Sequence, residues 1–396
     1  MKCLTFNLLI AVSSAASCSG SRGMQADRGV QATGGAGGAA GSGGRGTADA
    51  SHTQGAGGSQ HPCADTSSDP FNCGACENVC GIVTLAAGQP SPAVIAVDAT
   101  SVYWTNYGSV IGDGSLMKMP IGGGSPTVLA SGQVPTAIAV DGTSVYWANG
   151  FEGTLMKVPL GGGSPVMLAS GQTGAAHIAV DATSVYWTNT AAHDGSDQPN
   201  GTVMKVPLAG GTPTTLASRQ HSPASIAIDA TSVYWVNVGA TIFDGAVMKV
   251  PIGGGTPITI ASRQEGLNRI AVDATNVYWT ATSGGDGNRT LTKVPLAGGT
   301  PTTLVSGSTG TAIAVDATSV YWVSFDTGGG SVMKMPLAGG SPTTLVSHVL
   351  PEDIAIGATN VYWTGGGAQG KVMKLGGRTC QSGVCGECPG GSCLAP

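Results

Sequence analysis

Residues 95–104 read IAVDATSVYW, and six close copies of this stretch follow, the last ending at residue 363. Each copy carries one Trp, so the repeats use all seven Trp residues of the chain, which lie 40 to 48 residues apart: Trp104, Trp147, Trp187, Trp235, Trp279, Trp322 and Trp363. Repeats of about 40–45 residues with four short strands each are typical of β-propellers. The stretch therefore predicts an all-β fold with seven blades.

Each repeat divides into four predicted strands. The first resembles Ile95–Asp98, the second Val102–Trp104 and the fourth Thr215–Ser218, while the third ends at a Pro such as Pro120. Val, Ile, Tyr, Trp and Thr favour strands, whereas the Gly, Pro, Asp and Asn between them favour turns. Because the Val-Tyr-Trp run is apolar throughout, we expect the second strand to be buried between neighbouring sheets on both faces.

The two ends of the repeat array predict how the ring closes. The last repeat stops after Val372–Leu375 and has no fourth strand, but Val83–Ala86, which precedes the first repeat, resembles fourth strands such as Thr344–Ser347. We therefore expect the N-terminal segment to complete the seventh blade within a propeller spanning residues 82–377. Closure of this kind leaves no open strand edges between the first and last blades.

The Val-Tyr-Trp-Thr-Asn run after Ile-Ala-Val-Asp resembles the YWTD and NHL propeller families, as found in exported bacterial (lipo)proteins. The resemblance covers Ile82 to Gly377, but Asn, Ala or Ser stands where the YWTD motif ends in Asp. It implies a propeller whose relatives are mostly binding modules, with some lactonases and lyases among them. No catalytic motif of these families is present in the sequence.

The N-terminus has the features of an export signal, predicted for residues 1–17. Lys2 precedes the short apolar run Leu4–Val12, and small residues then lead to Cys18. The ending Ala15-Ala16-Ser17-Cys18 resembles a bacterial lipobox, with Ala15 where Leu is usual, and this implies acylation of Cys18. Simple signal cleavage near the same residues is the alternative. Both predict an exported protein, either lipid-anchored in a bacterial envelope or extracellular.

Residues 18–60 are predicted to form a flexible linker. Thr33–Gln60 consists almost entirely of Gly, Ala and Ser, which bury too little apolar surface to offset chain entropy. A flexible linker of this kind is suited to connecting a folded domain to an acylated Cys18. A membrane contact is expected only through that anchor, because no later stretch has the length and apolarity of a spanning helix.

Two Cys-rich segments flank the predicted propeller, over residues 61–81 and 378–396. Together they hold eight Cys: Cys63, Cys73, Cys76, Cys80, Cys380, Cys385, Cys388 and Cys393. In an exported protein these residues indicate structural disulfides rather than a metal site, although each cluster contains a C-x-x-C. Their pairing stays open. We expect them to fasten the seventh blade, which both chain ends build.

Composition excludes several classes of partner. Charged residues make up 10% of the chain, against about 25% in ordinary soluble domains, and the net charge is −5. Without a basic patch the chain is not expected to bind nucleic acid.

The sequence contains no P-loop, G-x-S-x-G or H-E-x-x-H motif, so no cofactor and no metal site is predicted. Four acidic loop residues could bind Ca²⁺, although none has the spacing of a known calcium loop: Asp194, Asp197, Asp244 and Asp286.

Some polar residues recur with the repeat and are expected to serve the fold. A third-strand Lys occurs in every repeat: Lys118, Lys157, Lys205, Lys249, Lys293, Lys334 and Lys374. An Asp ends the first strand in six repeats, with Gly357 in the seventh. We expect the Asp to cap its Ala-Thr-Ser turn and the Lys to reach a carboxylate or a carbonyl between blades. Pairing of Lys with Asp across blades is one form of this prediction.

Functional residues are expected where the repeats differ. Immediately before Ile-Ala-Val-Asp the seven blades carry Val94, Ala137, His177, Ser225, Arg269, Ala312 and Asp353. This position should ring the mouth of the central channel, so His177, Arg269 and Asp353, with their neighbours Asn268 and Glu352, form the candidate ligand site. Arg219, His221, Arg263 and His348 belong to the same loop class. The alternative is that all of them are solvated loop residues.

The sequence thus favours a monomeric, non-enzymatic surface or exported scaffold that binds a protein or carbohydrate through one loop face. The alternative is a propeller hydrolase or lyase with a polar site at the channel mouth. A plain envelope spacer is a third interpretation, since the blades are nearly identical.

Overall fold

The computed structural model describes residues 82–108, 112–190, 199–241, 243–282, 289–307, 310, 312–326, 329–366 and 369–376. The predicted signal, linker and Cys-rich segments, including Cys18 and the eight other Cys named above, lie outside these residues. Within them the chain forms 28 strands in seven antiparallel, four-stranded sheets. None of the described residues belongs to a helix long and apolar enough to cross a bilayer.

The first strand of the fold, β1, spans Ile82–Gln89. Blade 1 follows with β2 (Pro92–Val97), β3 (Ser101–Asn106), β4 (Gly114–Pro120) and β5 (Thr127–Gln133). Blade 2 contains β6 (Pro135–Val140), β7 (Ser144–Asn149), β8 (Thr154–Pro159) and β9 (Val166–Ala169). Blade 3 contains β10 (Ala175–Val180), β11 (Ser184–Asn189), β12 (Gly201–Pro207) and β13 (Thr214–Gln220).

Blade 4 contains β14 (Pro223–Ile228), β15 (Ser232–Asn237), β16 (Gly245–Pro251) and β17 (Ile258–Gln264). Blade 5 contains β18 (Leu267–Val272), β19 (Asn276–Thr282), β20 (Arg289–Pro295) and β21 (Thr302–Ser306). Blade 6 contains β22 (Ile313–Val315), β23 (Ser319–Asp326), β24 (Gly329–Pro336) and β25 (Thr343–Val349). Blade 7 is built from β26 (Pro351–Ile356), β27 (Asn360–Gly365), β28 (Gly370–Gly376) and β1.

The seven sheets close into a ring. The first strands of successive blades contact one another in order from β2 through β6, β10, β14, β18, β22 and β26 and back to β2, so they surround the central channel. The strand borrowed from the N-terminus is confirmed: β1 pairs antiparallel with β28, placing Val83 opposite Lys374. The fold is therefore the predicted seven-bladed propeller.

The core consists of seven similar clusters, one at each blade interface. In each cluster the repeat Trp of one blade packs with the repeat Tyr of the preceding blade, as Trp147 does with Tyr103. The seventh cluster joins Trp104 of blade 1 to Tyr362 of blade 7, together with Leu85 of β1. Consecutive residues of a strand point to opposite faces, so the Tyr-Trp pair attaches each blade to both neighbours. The predicted burial of the second strand on both faces is confirmed.

The repeated Asp caps its turn, as expected. Asp98 Oδ1 accepts hydrogen bonds from the backbone N–H groups of Thr100 and Ser101 at 2.6 and 2.7 Å, and its Oδ2 accepts one from the Tyr103 hydroxyl at 2.8 Å. The same bonds recur around Asp141, Asp181, Asp229, Asp273 and Asp316. Each carboxylate thereby fixes the hairpin between the first two strands of its blade.

The repeated Lys joins neighbouring blades through a carbonyl. Lys118 Nζ donates to the Leu160 carbonyl of the next blade at 2.6 Å, and Lys374 Nζ donates to the Ile121 carbonyl at 2.8 Å, linking blade 7 to blade 1. Lys157, Lys205 and Lys249 make the same inter-blade bond. The idea that these Lys pair with Asp across blades was wrong, because the Asp oxygens are already used by the turns within their own blades.

A third repeated contact occurs in blades 1 to 4 and was not predicted. In blade 2 the Trp147 indole N–H and the Asn149 amide both donate to Gln133 Oε1, at 3.2 and 2.9 Å. Gln133 is the last residue of β5, the outer strand of the preceding blade, so the bonds fasten the crossing between blades. Equivalent sets join Trp104, Asn106 and Gln89; Trp187, Asn189 and Gln172; and Trp235, Asn237 and Gln220.

Candidate functional site

Three of the predicted site residues occupy the same place on three inner strands. His177 lies on β10, Arg269 on β18 and Asp353 on β26, each directly before the buried Ile of its strand. Because the four strands of a blade alternate in direction, the start of the first strand lies at the same end as the loop between the second and third strands. The three side chains therefore belong to one face of the ring.

Arg269 and His177 meet across the central channel. Their side chains are in contact, with Arg269 Nη1 against both ring nitrogens of His177. The two residues belong to blades 5 and 3, and the inner strand β14 of blade 4 stands between β10 and β18 in the ring. Side chains of alternate blades reach each other only through the channel, so this contact places the Arg269 guanidinium inside the mouth.

His177 is held in its neutral form. Burial lowers the pKa of the imidazole well below 6.5, and the positive charge of Arg269 lowers it further. The residue as a whole is half-buried. A neutral imidazole provides one N–H donor and one acceptor nitrogen near neutral pH.

Asp353 approaches the same centre from blade 7. Its Oδ2 accepts the Ile95 backbone N–H of blade 1 at 3.1 Å, which fixes the carboxyl group at the junction where the ring closes. Burial raises the pKa of Asp353, while Arg269 and the N–H groups of Ile95 and Ile354 act in the opposite direction. The positive charge of Arg269 thus lowers the pKa of this carboxyl group, although β18 and β26 lie two blades apart, with β22 between them.

Glu352 adds a second carboxyl group beside Asp353. A register shift between Pro351 and Asp353 interrupts the pairing of β26 with β27. Such irregularities re-aim side chains, so consecutive residues need not point to opposite faces. Burial raises the pKa of Glu352, and the neighbouring Asp353 charge raises it further. The two carboxyl groups are therefore close enough to repel each other.

Tyr107 completes the cluster and was missed in the sequence. Seven of the eight Tyr residues belong to the Val-Tyr-Trp repeats, and Tyr107 is the eighth. Its position outside the repeats could have marked it as a candidate site residue. Its backbone N–H donates to the Ser91 carbonyl at 3.1 Å, which holds it directly after β3. Burial raises the pKa of its hydroxyl; Arg269 lowers that pKa, and both Asp353 and Glu352 raise it. Blade 1 thus places an aromatic ring within electrostatic range of all three charged groups.

The remaining predicted residues make other contacts, and Arg219, Arg263 and His348 lie in the outer strands β13, β17 and β25 rather than in loops. Asn268 donates to Thr282 Oγ1 of its own blade at 3.1 Å. Arg219, Arg263 and His348 are exposed, each with a positive φ of 56 to 57°. The backbone carbonyl of His221 accepts the Gly239 N–H.

The acidic loop residues considered for calcium form no site in the part of the chain that is described. Asp244 accepts the backbone N–H groups of Ala240 and Thr241 at 3.2 and 2.8 Å, so its carboxylate shapes its own loop. The described residues contain no group of three His, Cys, Asp or Glu side chains that could hold a metal ion. Asp194, Asp197 and Asp286 lie outside the described residues.

The cluster of His177, Arg269, Glu352, Asp353 and Tyr107 is called the channel-mouth cluster below. It combines one fixed positive charge, two carboxyl groups, a neutral imidazole and a phenol, all half-buried. Arg offers a planar set of N–H donors to an anion, and the carboxyl groups offer acceptors to hydroxyl or ammonium donors. The cluster therefore offers both hydrogen-bond donors and acceptors.

Comparison with known proteins leaves the family open. No family model matches the chain, and no curated protein matches it. Among solved structures it is similar to a streptogramin B lyase, with a TM-score of 0.54 and 11% identity over 74% of this chain and 97% of that one. It is also similar to the computationally designed Ika8 protein, with a TM-score of 0.51 and 16% identity over 75% and 99% of the two chains.

A further similarity is to a chain of a nidogen/laminin complex, with a TM-score of 0.42 and 19% identity over 52% of this chain and 76% of that one. At their identities the lyase and Ika8 similarities concern the fold alone and leave the function to the residues of the site.

Proposed function

We propose that the protein is an exported, non-enzymatic scaffold whose propeller binds a protein or carbohydrate ligand at the face that carries the channel-mouth cluster. The observation that supports this proposal most directly is the contact of Arg269 with His177 across the channel. The repeated Lys side chains join neighbouring blades, and the repeated Asp side chains fix turns within their own blades. The side chains that break the repeat, by contrast, converge from blades 1, 3, 5 and 7 on one opening, where a ligand contacts several of them at once.

Rigid placement supports binding at this position. The inner strands that carry His177, Arg269 and Asp353 are fixed by the closed ring, so little side-chain and backbone freedom is lost when a ligand arrives. Non-repeating polar groups in a concave opening are also the usual features of a small-molecule or chain-end site.

The proposal includes the flanking segments. Residues 1–17 direct export, Cys18 carries a lipid anchor, and residues 18–60 tether a monomeric propeller of residues 82–377 to the bacterial envelope. Disulfides in the segments 61–81 and 378–396 fasten the blade that both chain ends build. Incorporation of a labelled fatty acid into the wild-type chain but not into Cys18→Ser tests the anchor, since simple signal cleavage predicts no label in either.

The test of the binding function uses the full chain on glycan arrays and in pull-downs from envelope fractions. We expect at least one ligand that binds the wild type and is lost in Arg269→Gln. Arg219→Gln is the matched control, because Arg219 is an exposed Arg on the outer strand β13. If every ligand found binds Arg269→Gln as well as it binds the wild type, the channel mouth is not the binding site.

One observation favours a second function, that of a propeller lyase or hydrolase. A neutral imidazole beside a guanidinium and a carboxyl group is a set that can accept a proton while the anion formed is stabilised. The test is turnover of the ligands found above: product formation by the wild type and its loss in His177→Asn, with binding retained, would replace the scaffold proposal by an enzymatic one.

A further inference from the structure

We propose that a groove between blades 1 and 2 binds a small carboxylate with an apolar tail, the carboxylate on the Lys118 ammonium group and the tail against Val128. The groove lies between the outer strand β5 of blade 1 and the turn that follows β8 in blade 2. Turns between third and fourth strands lie at the end of the ring opposite the channel mouth. This second site is therefore separate from the proposed binding function.

The groove has the size of a small molecule. Its volume is about 280 Å³, which corresponds to about ten non-hydrogen atoms at about 30 Å³ each, the share of one water molecule in the liquid. One charged side chain and several apolar ones line it, beside a Gly-rich turn: Lys118, Pro120, Val128, Leu129, Leu160 and Gly161. This lining suits a small molecule with one polar end rather than a macromolecule.

Lys118 favours a negative charge on that polar end. In the described part of the chain its ammonium group donates to the Leu160 carbonyl at 2.6 Å and lies over the Tyr103 ring, 5.7 Å from the ring centre. Neither group is a carboxylate, and Asp98 of the same blade is bonded within its own turn and to Tyr103. An ammonium group has three N–H donors, so two remain for a ligand carboxylate.

The groove combines two departures from the sequence repeat. Val128 is replaced by Met167 in blade 2 and by Thr in the other five blades, and Gly161 is replaced by Ala in three blades. The equivalent residues are Thr84, Thr215, Thr259, Thr303 and Thr344 for the first position, and Ala209, Ala297 and Ala338 for the second. The fold accepts Thr and Ala at these positions, so it does not require the apolar side chain and the missing methyl group found here.

Val128 favours an apolar tail on the ligand. The residue is 55% exposed although it lines the groove beside Pro120 and Leu160. Covering exposed apolar surface is favourable in proportion to its area. A plain inorganic anion would leave this surface in water, whereas a carboxylate with a short hydrocarbon chain covers it.

The test is an NMR titration of the full chain with hexanoate, hexanol, hexylamine and acetate, followed at the backbone N–H signals of Gly161 and Gly162. We expect hexanoate to bind with a dissociation constant of about 1 mM or below, in the range for a ligand of this size. It should bind about threefold or more tightly than each of the other probes, because only hexanoate has both the charge and the tail.

Two Lys variants test the charged end. Lys118→Met should abolish the preference for hexanoate over hexanol. Lys205→Met is the matched control, because Lys205 makes the same inter-blade bond, to the Ile252 carbonyl at 2.9 Å, at another interface. This control should keep the preference even where it lowers stability.

Restoring the repeat tests the groove itself. Val128→Thr combined with Gly161→Ala should weaken hexanoate binding by about threefold or more while the urea midpoint stays unchanged, because other blades fold with these residues. Gly253→Ala, in the equivalent turn of blade 4, is the control and should bind hexanoate like the wild type.

The inference is overturned if hexanoate leaves the Gly161 and Gly162 signals unchanged, or if any other probe binds as tightly. It is also overturned if the repeat-restoring variant binds hexanoate like the wild type, or if the two Lys variants lose the preference equally. None of these results bears on the channel mouth, whose binding function is tested separately with Arg269→Gln.

Discussion

Arg269 of blade 5 touches His177 of blade 3 through the central channel, although the inner strand of blade 4 separates the two blades in the ring. His177 and Arg269 occupy the same position of the repeat, so residues at equivalent positions make different contacts in different blades. At this position Ala137 and Ala312 are buried in the clusters between blades, whereas the side chains of His177 and Arg269 meet through the channel.

The contact makes a prediction about the protonation of His177. Burial first, and the charge of Arg269 second, lower the pKa of this imidazole well below 6.5. Its ring signals in an NMR titration, assigned by their loss in His177→Asn, should therefore stay unchanged between about pH 8 and 6. In Arg269→Gln the pKa should rise, since one of the two causes is removed. A wild-type midpoint near 6.5 would contradict the geometry of the mouth.

Closure of the ring predicts the effect of Lys374→Met. The substitution keeps an apolar stem but removes the 2.8 Å hydrogen bond to the Ile121 carbonyl, which joins blade 7 to blade 1. The free energy of unfolding in urea should fall by about 1.5–3 kcal/mol, the range for a hydrogen bond to a charged group. Lys371→Met, an exposed position on the same strand, is the control and should change it by less than about 0.5 kcal/mol. Equal effects would show that the inter-blade bond contributes nothing.

The Trp-Asn-Gln contact predicts that two Gln residues at similar positions contribute differently to the free energy of unfolding. Gln133→Ala leaves the buried Trp147 indole N–H and the Asn149 amide without their shared acceptor, which should cost about 1–3 kcal/mol of unfolding free energy. Gln264→Ala should cost much less, because Gln264 bonds only locally to the Ser262 carbonyl and the Trp279 N–H has no partner among the described residues. If both variants lose the same stability in urea titrations, the contact does not fasten the blades.

The Asp-capped turns predict how stability depends on pH. Burial alone would raise the pKa of Asp229, but hydrogen bonds from Thr231, Tyr234 and Ser232 outweigh it and bring the pKa below 3.8. A carboxyl group with a depressed pKa stabilises the fold above its unfolded pKa and loses that contribution as pH falls through the folded value. The stability difference between wild type and Asp229→Asn should therefore be constant above about pH 5 and shrink toward pH 2. A difference that grows on acidification would reverse the sign and contradict the capping role.

Much of the fold was predictable because each blade corresponds to one copy of the sequence repeat. The seven Trp gave the blade number, and the match of Val83–Ala86 to the fourth strands gave the closure seen between β1 and β28. The strand ends were less predictable: the second strand was expected over Val102–Trp104 but spans Ser101–Asn106. Asn106 looks like a turn residue locally, yet it is buried because Gln89, seventeen positions earlier, accepts its amide.

The site was predictable only where it breaks the repeat. His177, Arg269 and Asp353 stood out because they replace small or apolar residues at one position of the inner strand. Tyr107 was missed because it lies in a loop whose path the repeat does not specify. Asn268 was included as a neighbour of Arg269, but it bonds to Thr282 on its own blade, a side-chain orientation that spacing in a sequence does not reveal.

The most direct test of the channel mouth as the binding site is NMR of the Arg side-chain N–H groups in the full chain during titration with a ligand found on the arrays. The Arg269 signal, assigned by its loss in Arg269→Gln, should shift in proportion to ligand bound, while the signals of the exposed Arg219 and Arg263 stay in place. A ligand that binds and moves Arg219 or Arg263 while leaving Arg269 unchanged would contradict the account.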